Sequence, residues 1–511
     1  MELQWIRETM EAEQNISAKP TQMAVETEVT MPGGLREEAR VYFADAAAVV
    51  NSGEIVGGRV TAEGRVTFHA LYAQGDLSQV NVLETTADFT QSLPLREDGD
   101  ALTALRVRPR AQVQQVSARA ANGRLLLRAI LSLTADAVLT RTVSLIRDAR
   151  EGAEAQRETQ AVSIQRTVGE GEARSLLRED FELSEVLSIR DTLYATAQAQ
   201  VEDILGGADG KATVTGTIAI DAYHASAMPG RPLVYTRHTM PFEQAVNLSG
   251  TAGDALTARS EVRDVAVLSQ EGEDGGRILR AEVQLLTVMT AVESKEMTVL
   301  RDVYTTEGDA VETQSQTVTY RSGTVNETAA ESGKTVLSLA EGAPRMKTAL
   351  LGFVRPVLVS AQRQKDKLAV DGIADATVLY LTDDSPVPEA VRQEEPFHAV
   401  FSTDALPEDH LTLTASQVEP SLITGDRVEL KYILRLQADG ARQRKAQVIT
   451  DAVAVEAGPR EPGIVLSFLQ PGETLWDLAK RYRVPVGDMT RLNPQLPDHP
   501  AAGTAVVAYL R

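Results

Sequence analysis

The chain has 511 residues, no cysteine and a formal net charge of −21. Lack of cysteine removes disulfides, thiolate zinc sites and cysteine nucleophiles, and so acidic a surface disfavours nucleic acid and anionic lipid as partners. The length predicts three or four domains, each large enough to bury its own core.

The opening segment MELQWIRETMEAEQ is acidic and has no apolar run, so it is not read as a signal peptide. Nowhere do eighteen apolar residues follow one another, so no membrane-inserted helix is expected. The expectation from these two features is a cytoplasmic chain.

Residues 58–72 alternate with period two. Val60, Ala62, Val66, Phe68, Ala70 and Tyr72 share one face, and Thr61, Glu63, Arg65, Thr67 and His69 share the other. That is the pattern of a half-buried strand. Gly64 interrupts the apolar column, which predicts a bulge or a close approach by another backbone. The arrangement returns at 211–224 around Gly216 and at 367–380 around Gly372, 152 and 156 residues apart. Phe89, Phe242 and Phe397 follow these glycines by 25, 26 and 25 residues. Gly123, Gly276 and Gly425 each introduce a further alternating strand, and Thr-Gln pairs at 21–22, 159–160 and 313–314 mark each unit's entry.

These markers define three repeats, at 1–148, 152–304 and 310–456. Within each, short alternating runs separated by Gly/Pro turns predict about seven strands; in the second, QAVSIQRTV, ILRAEVQLLTVM and MTVLRDVY read as three separate ones. The fold class is therefore mainly β, with three antiparallel, sandwich-like domains. Ala-rich pieces such as 44–50 leave a partly helical reading open. Hinges are expected at 147–158, 305–312 and 456–463. The last contains a Pro/Gly linker, 457–462, after which the composition changes.

No catalytic constellation emerges. The six histidines, His69, His224, His238, His398, His410 and His499, show no metal-ligand spacing. Gly333-Lys334-Thr335 ends like a P-loop, but Thr328 stands where the leading glycine belongs. No enzyme activity, cofactor or metal is expected.

The segment 463–511 is of another kind. A strand over 464–469 leads to the turn Pro471-Gly472-Glu473, and Thr474 then stands as an N-cap with Asp477 three residues on. Leu475, Leu478, Ala479 and Tyr482 form one helical face. Pro485 opens a second helix that Asn493-Pro494 ends, and 503–510 reads as a closing strand. The order is βααβ. In that segment Lys480, Arg481, Arg483, Arg491 and Arg511 face four acids, a net of +1, which leaves −22 on the repeats.

The run VLSFLQPGETLWDLAKRYRVPVGDMTRLNPQL resembles the LysM module, although GTAVVAYLR lacks the usual closing Ile-Pro. The upstream units resemble the SPOCS domain of spore-forming Firmicutes, and the combination looks like spore coat morphogenetic proteins of the SipL type. The resemblance implies a non-catalytic scaffold made in the mother cell, which binds the coat-basement ATPase and other coat proteins at the forespore surface. It also implies an alternative, a peptidoglycan or N-acetyl-glycan-binding wall or cortex protein. In sugar-binding LysM modules the groove lies between two loops, here Gly472, Glu473, Thr474 and Leu475, and Asn493, Pro494, Gln495 and Leu496. Trp476 is added as a buried aromatic or an exposed anchor at a protein interface. Taken singly, Thr474 reads as a cap, Gly472 as a turn, and Leu475 and Leu492 as core.

Overall fold

A computed structural model describes residues 4–31, 39–74, 79–95, 104–149, 155–206, 210–271, 277–458, 460–497 and 500–510. The chain is mainly β with antiparallel sheets throughout, and its only two described α-helices lie near the C-terminus. The first unit comprises β1 (Trp5–Ser17), β2 (Thr21–Thr30), β3 (Ala39–Val56), β4 (Arg59–Gln74), β5 (Asn81–Pro94), β6 (Ala104–Ala121) and β7 (Arg124–Ala149). In the second are β8 (Ala155–Glu182), β9 (Ile189–Gly206), β10 (Lys211–Ser226), β11 (Leu233–Asn247), β12 (Ser249–Gly250), β13 (Ala255–Glu271) and β14 (Arg277–Thr305). The third contains β15 (Ala310–Ser338), β16 (Met346–Gln364), β17 (Lys367–Thr382), β18 (Glu389–Ser402), β19 (His410–Thr424) and β20 (Arg427–Val455).

Each unit repeats one plan. A three-stranded meander (β3-β4-β5, β9-β10-β11 or β16-β17-β18) faces a second sheet built on the unit's long last strand, β7, β14 or β20. In the first unit Val60, Val66 and Phe68 of β4 meet Leu127, Leu131 and Leu133 of β7 in one buried cluster. Alternation along both strands puts these apolar side chains between the layers. Residues 44–50 belong to β3, so the helical alternative there is set aside.

The glycine and phenylalanine markers turn out to be one feature. Gly64, Gly216 and Gly372 pair directly with Phe89, Phe242 and Phe397. A Cβ on Gly64 would lie 2.4 Å from both the Phe89 ring and the Val49 carbonyl oxygen. The ring covers the bare glycine, and the other neighbouring strand is bulged beside it, between Val50 and Ser52. Both consequences predicted for the interrupted column are present. The Thr-Gln pairs are not equivalent, however. Thr159 pairs with Leu300 in the far half of β14, whereas Thr21 pairs with Leu133 in the near half of β7.

The last strands run 26, 29 and 29 residues, far longer than the sequence patterns suggest. The runs read as separate strands around 278–289 and 297–304 both lie in β14. Three exposed polar residues interrupt each long strand, at 140–142, 294–296 and 443–445, but no glycine or proline turns the chain there. Beyond the interruption, each unit projects a two-stranded ribbon. Met10, Val162 and Val318 meet Val143, Met297, Ala446, Leu145, Val299 and Val448 in one shared core. These are corresponding positions of the three repeats, so the ribbons pack about a pseudo-threefold axis. A second inter-unit core joins the meanders, with Leu71, Tyr223 and Leu379, each seven residues beyond its marker glycine.

Polar contacts reinforce the junction. Arg321 of the third unit and Glu13 of the first pair at 2.8 Å, each side chain only 5% exposed, and Thr167 of the second unit hydrogen-bonds both. Satisfied donors and acceptors are what make such a buried pair tolerable. The expected hinges at 147–158 and 305–312 are narrowed accordingly. Strand pairing extends to Ala149 and resumes at Ala155, and Thr305 and Ala310 are already paired; residues 150–154 lie outside the described set.

Candidate binding site

The C-terminal module begins with β21 (Gly463–Phe468) and α1 (Leu475–Tyr482), continues with α2 (Val486–Leu492), and closes with β22 (Ala505–Leu510). The capping box is complete: the Thr474 hydroxyl accepts from Asp477 N, and the Asp477 carboxylate accepts from Thr474 N at 2.8 Å. Arg483 ends α1 in the left-handed region at φ 52°. Leu478, Ala479, Met489, Val506 and Ala508 form the core, with Leu475 and Leu496 packed at its edge. The closing strand pairs from Ala505 to Leu510 despite its missing Ile-Pro.

The structure separates the nine expected site residues. Gly472, with φ +82°, Thr474, Pro494 and Gln495 are exposed. Leu475 and Leu496 are part of the core edge. Glu473 is spent on the turn, accepting from Gln470 N at 2.9 Å and pairing with Arg481. The Asn493 side chain serves as a bracket inside the module. It is 1% exposed, donates to Met489 O and Val507 O, and accepts from Val507 N. No polar atom of its side chain remains for a ligand. Leu492, read singly as core, is instead exposed.

Trp476 faces inward, against the second unit. Its Nε1 donates to Asp302 Oδ2 at 2.8 Å, and its ring meets Tyr304 edge-on at 5.0 Å. Lys480 Nζ donates to Asp302 Oδ1 at 2.6 Å, and the Tyr304 hydroxyl donates to Val484 O. Arg483 donates to Thr305 O and Gly308 O, and Arg460 donates to Thr306 O. Arg460, inside the expected Pro/Gly linker, also holds the carbonyls of Tyr482 and Arg483. Trp476 is thus an anchor within the chain, and the linker is pinned at that residue.

Sequence reading missed this docking surface, although a signal exists. Asp148, Asp302 and Asp451 are corresponding residues, and two positions on the repeats carry Arg150, Tyr304 and Val453. The aromatic belongs to the unit that receives the module. In the other units the aspartate takes an arginine from a neighbouring unit: Arg157 for Asp148 and Arg7 for Asp451.

Residues 469–503 match the family model of the LysM domain. The segment is a LysM domain. The match takes in none of the three upstream units, and no curated protein and no solved structure matches the chain. Docking through α1 leaves two faces of the LysM domain open. One is the pair of loops at Gly472 and at Pro494-Gln495. The other is the outer face of the β21–β22 sheet, where Ile464, Leu466, Phe468 and Tyr509 are between 51% and 76% exposed. Period two sends Val506 and Ala508 to the core and these four to solvent.

Proposed function

We propose that the protein is a non-catalytic attachment scaffold whose LysM domain binds a protein partner. The observation that carries this reading is the apolar outer face of the LysM sheet. A contiguous stripe of Ile464, Leu466, Phe468 and Tyr509 stays in solvent while the opposite side of the domain docks on the second unit. Exposed aliphatic and aromatic clusters of this kind mark protein interfaces. The finer form of the proposal is a spore coat role. The chain is cytoplasmic in the mother cell, its partner is the coat-basement ATPase, and the three units contact further coat proteins or copies of the chain. Joining these contacts on one body raises the effective concentration of each at the forespore surface.

The second reading is binding of peptidoglycan or another N-acetyl glycan. The LysM match and the open loops at Gly472 and Pro494-Gln495 favour it.

The test offers the full chain to purified coat-basement ATPase and, separately, to purified peptidoglycan. Expected are saturable ATPase binding, weakened about tenfold or more by Phe468→Asp, and no co-sedimentation with glycan. Glycan retention that ignores Phe468→Asp, with no ATPase binding, overturns the proposal in favour of the second reading.

A further inference from the structure

A cavity of about 590 Å³ lies on the pseudo-threefold axis, remote from the LysM domain. It sits between the two inter-unit cores. Asn15, Thr167 and Arg321 line one end, and Ala111, Gln112 and Thr412 are shared with a second cavity whose wall includes Tyr194, Tyr223 and Phe353. Its volume is that of a small-molecule site.

The wall is unusual for so acidic a protein. Six arginines from all three units converge on it: Arg106, Arg108 and Arg110 from β6, Arg259 and Arg263 from β13, and Arg321 from β15. The carboxylates in the lining are Asp136, Glu172, Glu261 and Asp439. Asp439 is shared, taking Arg110 from the first unit and Arg259 from the second at 3.1 Å. Glu170 serves Arg106 and Arg108, and Glu13 serves Arg321. These pairs hold the junction together without using every donor. A guanidinium has five N–H groups in a fixed fork, more than one shared carboxylate fills. Arg110 Nη1 and Arg321 Nε are both buried and have no hydrogen-bond partner. Both atoms are enclosed by protein, so they add positive charge behind the wall rather than donors on its surface. Asn15 Oδ1 is the one lining acceptor in the same position. Arg108 leaves about half of its side chain accessible, with Nη2 on Glu170 and Thr290 Oγ1.

We propose that this cavity binds a small multivalent oxyanion carrying two or more phosphate or carboxylate groups. Two negatively charged groups on one molecule engage Arg108 and Arg259, whose side chains are 49% and 33% accessible, with the charges of Arg110 and Arg321 behind them. Oxygen acceptors in bidentate geometry suit guanidinium forks, and the partly buried setting strengthens each contact. Because β6, β13 and β15 belong to different units, an anion there also crosslinks the three repeats. Binding is therefore expected to raise the stability of the whole chain.

The experiment titrates the full chain with inorganic pyrophosphate and, in a separate arm, with citrate. Calorimetry and thermal unfolding are followed at constant ionic strength, with potassium chloride as the control. Expected is one saturable site for at least one of the two anions, with a rise in Tm that chloride does not reproduce. Arg108→Gln, which leaves the Asp439 bridges intact, is expected to weaken binding about tenfold, the loss of one bidentate contact. Arg280→Gln is the matched control, because Arg280 pairs with Asp180 on the exposed face of the second unit. Should Arg108→Gln fail to fold, Arg259→Gln read against Arg280→Gln replaces it. No saturable binding of either anion, or binding that the cavity variants and the control share equally, overturns the proposal.

Discussion

Gly216→Ala is expected to destabilise the protein by about 2–3 kcal/mol or more, against the ordinary gain of ~0.5–1 kcal/mol for replacing a strand glycine. The added Cβ would fall 2.0 Å from the backbone carbonyl oxygen of Gln200 and within 2.9 Å of the Phe242 ring. A ring can swing away, but a carbonyl inside a paired strand cannot. The same holds at Gly64 against Val49 O and at Gly372 against Val357 O, at 2.4 and 2.5 Å. Replacing Phe242 by leucine as well is expected to restore only the part due to the ring. Chemical denaturation of the three single alanine variants and the Gly216→Ala/Phe242→Leu pair measures this. Neutral or stabilising alanines would show that these columns have room for a methyl group, contrary to the register shifts beside Gly64, Gly216 and Gly372.

Stability is also expected to fall as pH drops from about 6.5 towards 4. His224 is fully buried, sharing its ring nitrogens with Thr192 Oγ1 at 3.1 Å and Thr236 Oγ1 at 2.8 Å. Burial, with His238 nearby, lowers it to about 4 from an ordinary 6.5. Burial likewise lowers His410, in the wall of the central cavity, to about 4. Above pH 6.5 both rings are neutral whether the chain is folded or not, so they cost nothing. Between 6.5 and 4 the unfolded chain binds protons that the folded chain refuses, and folding loses free energy throughout that interval. For His224 the loss is about 2–3 kcal/mol once pH reaches its folded value. The carboxylates lowered by histidine partners, Glu84 and Asp371, add a fall only below their ordinary values, so the interval from 6.5 to 5 reports the histidines. Urea midpoints at pH 7.5 and 5 read the effect, which His224→Gln is expected to shrink. A flat profile over that interval would mean that His224 reaches a proton source in the folded chain.

The repeats were legible because each unit must hide the same apolar face. Period two around Gly64, Gly216 and Gly372 gave the central strands, and the distant phenylalanines proved to be the cross-strand partners of those glycines. Local chemistry likewise sufficed for the βααβ module, since Thr474 and Asp477 write a capping box that the backbone then satisfies. What stayed hidden was the assembly of units. A polar triplet such as 294–296 reads as a loop when it is only the stretch where β14 leaves one core and enters another. Short runs like Val143-x-Leu145 look too small to matter singly, and gain meaning only when three copies meet about an axis. The part played by the Asn493 side chain was hidden by the same locality. Asn493 sits where a loop ligand was expected, but the unpaired backbone at the end of α2 and along β22 claims its side chain first. Gly333-Lys334-Thr335 is mid-strand in β15, with the Tyr432 ring over Gly333, so it has no loop in which to cradle phosphate.

The position of the LysM domain decides which of its faces a partner meets, and Trp476 reports that position. The chain has two tryptophans, Trp5 and Trp476, so a Trp5→Phe background isolates the second. With Trp476 held by Asp302 and Tyr304, its emission is expected to be blue-shifted and poorly quenched by acrylamide. Asp302→Ala removes the acceptor of both Trp476 and Lys480, charged hydrogen bonds of roughly 1.5–3 kcal/mol each, and is expected to release the indole to solvent. Emission from Trp476 that is already solvent-like, and indifferent to Asp302→Ala, would contradict a docked LysM domain and the outward presentation of its apolar sheet face.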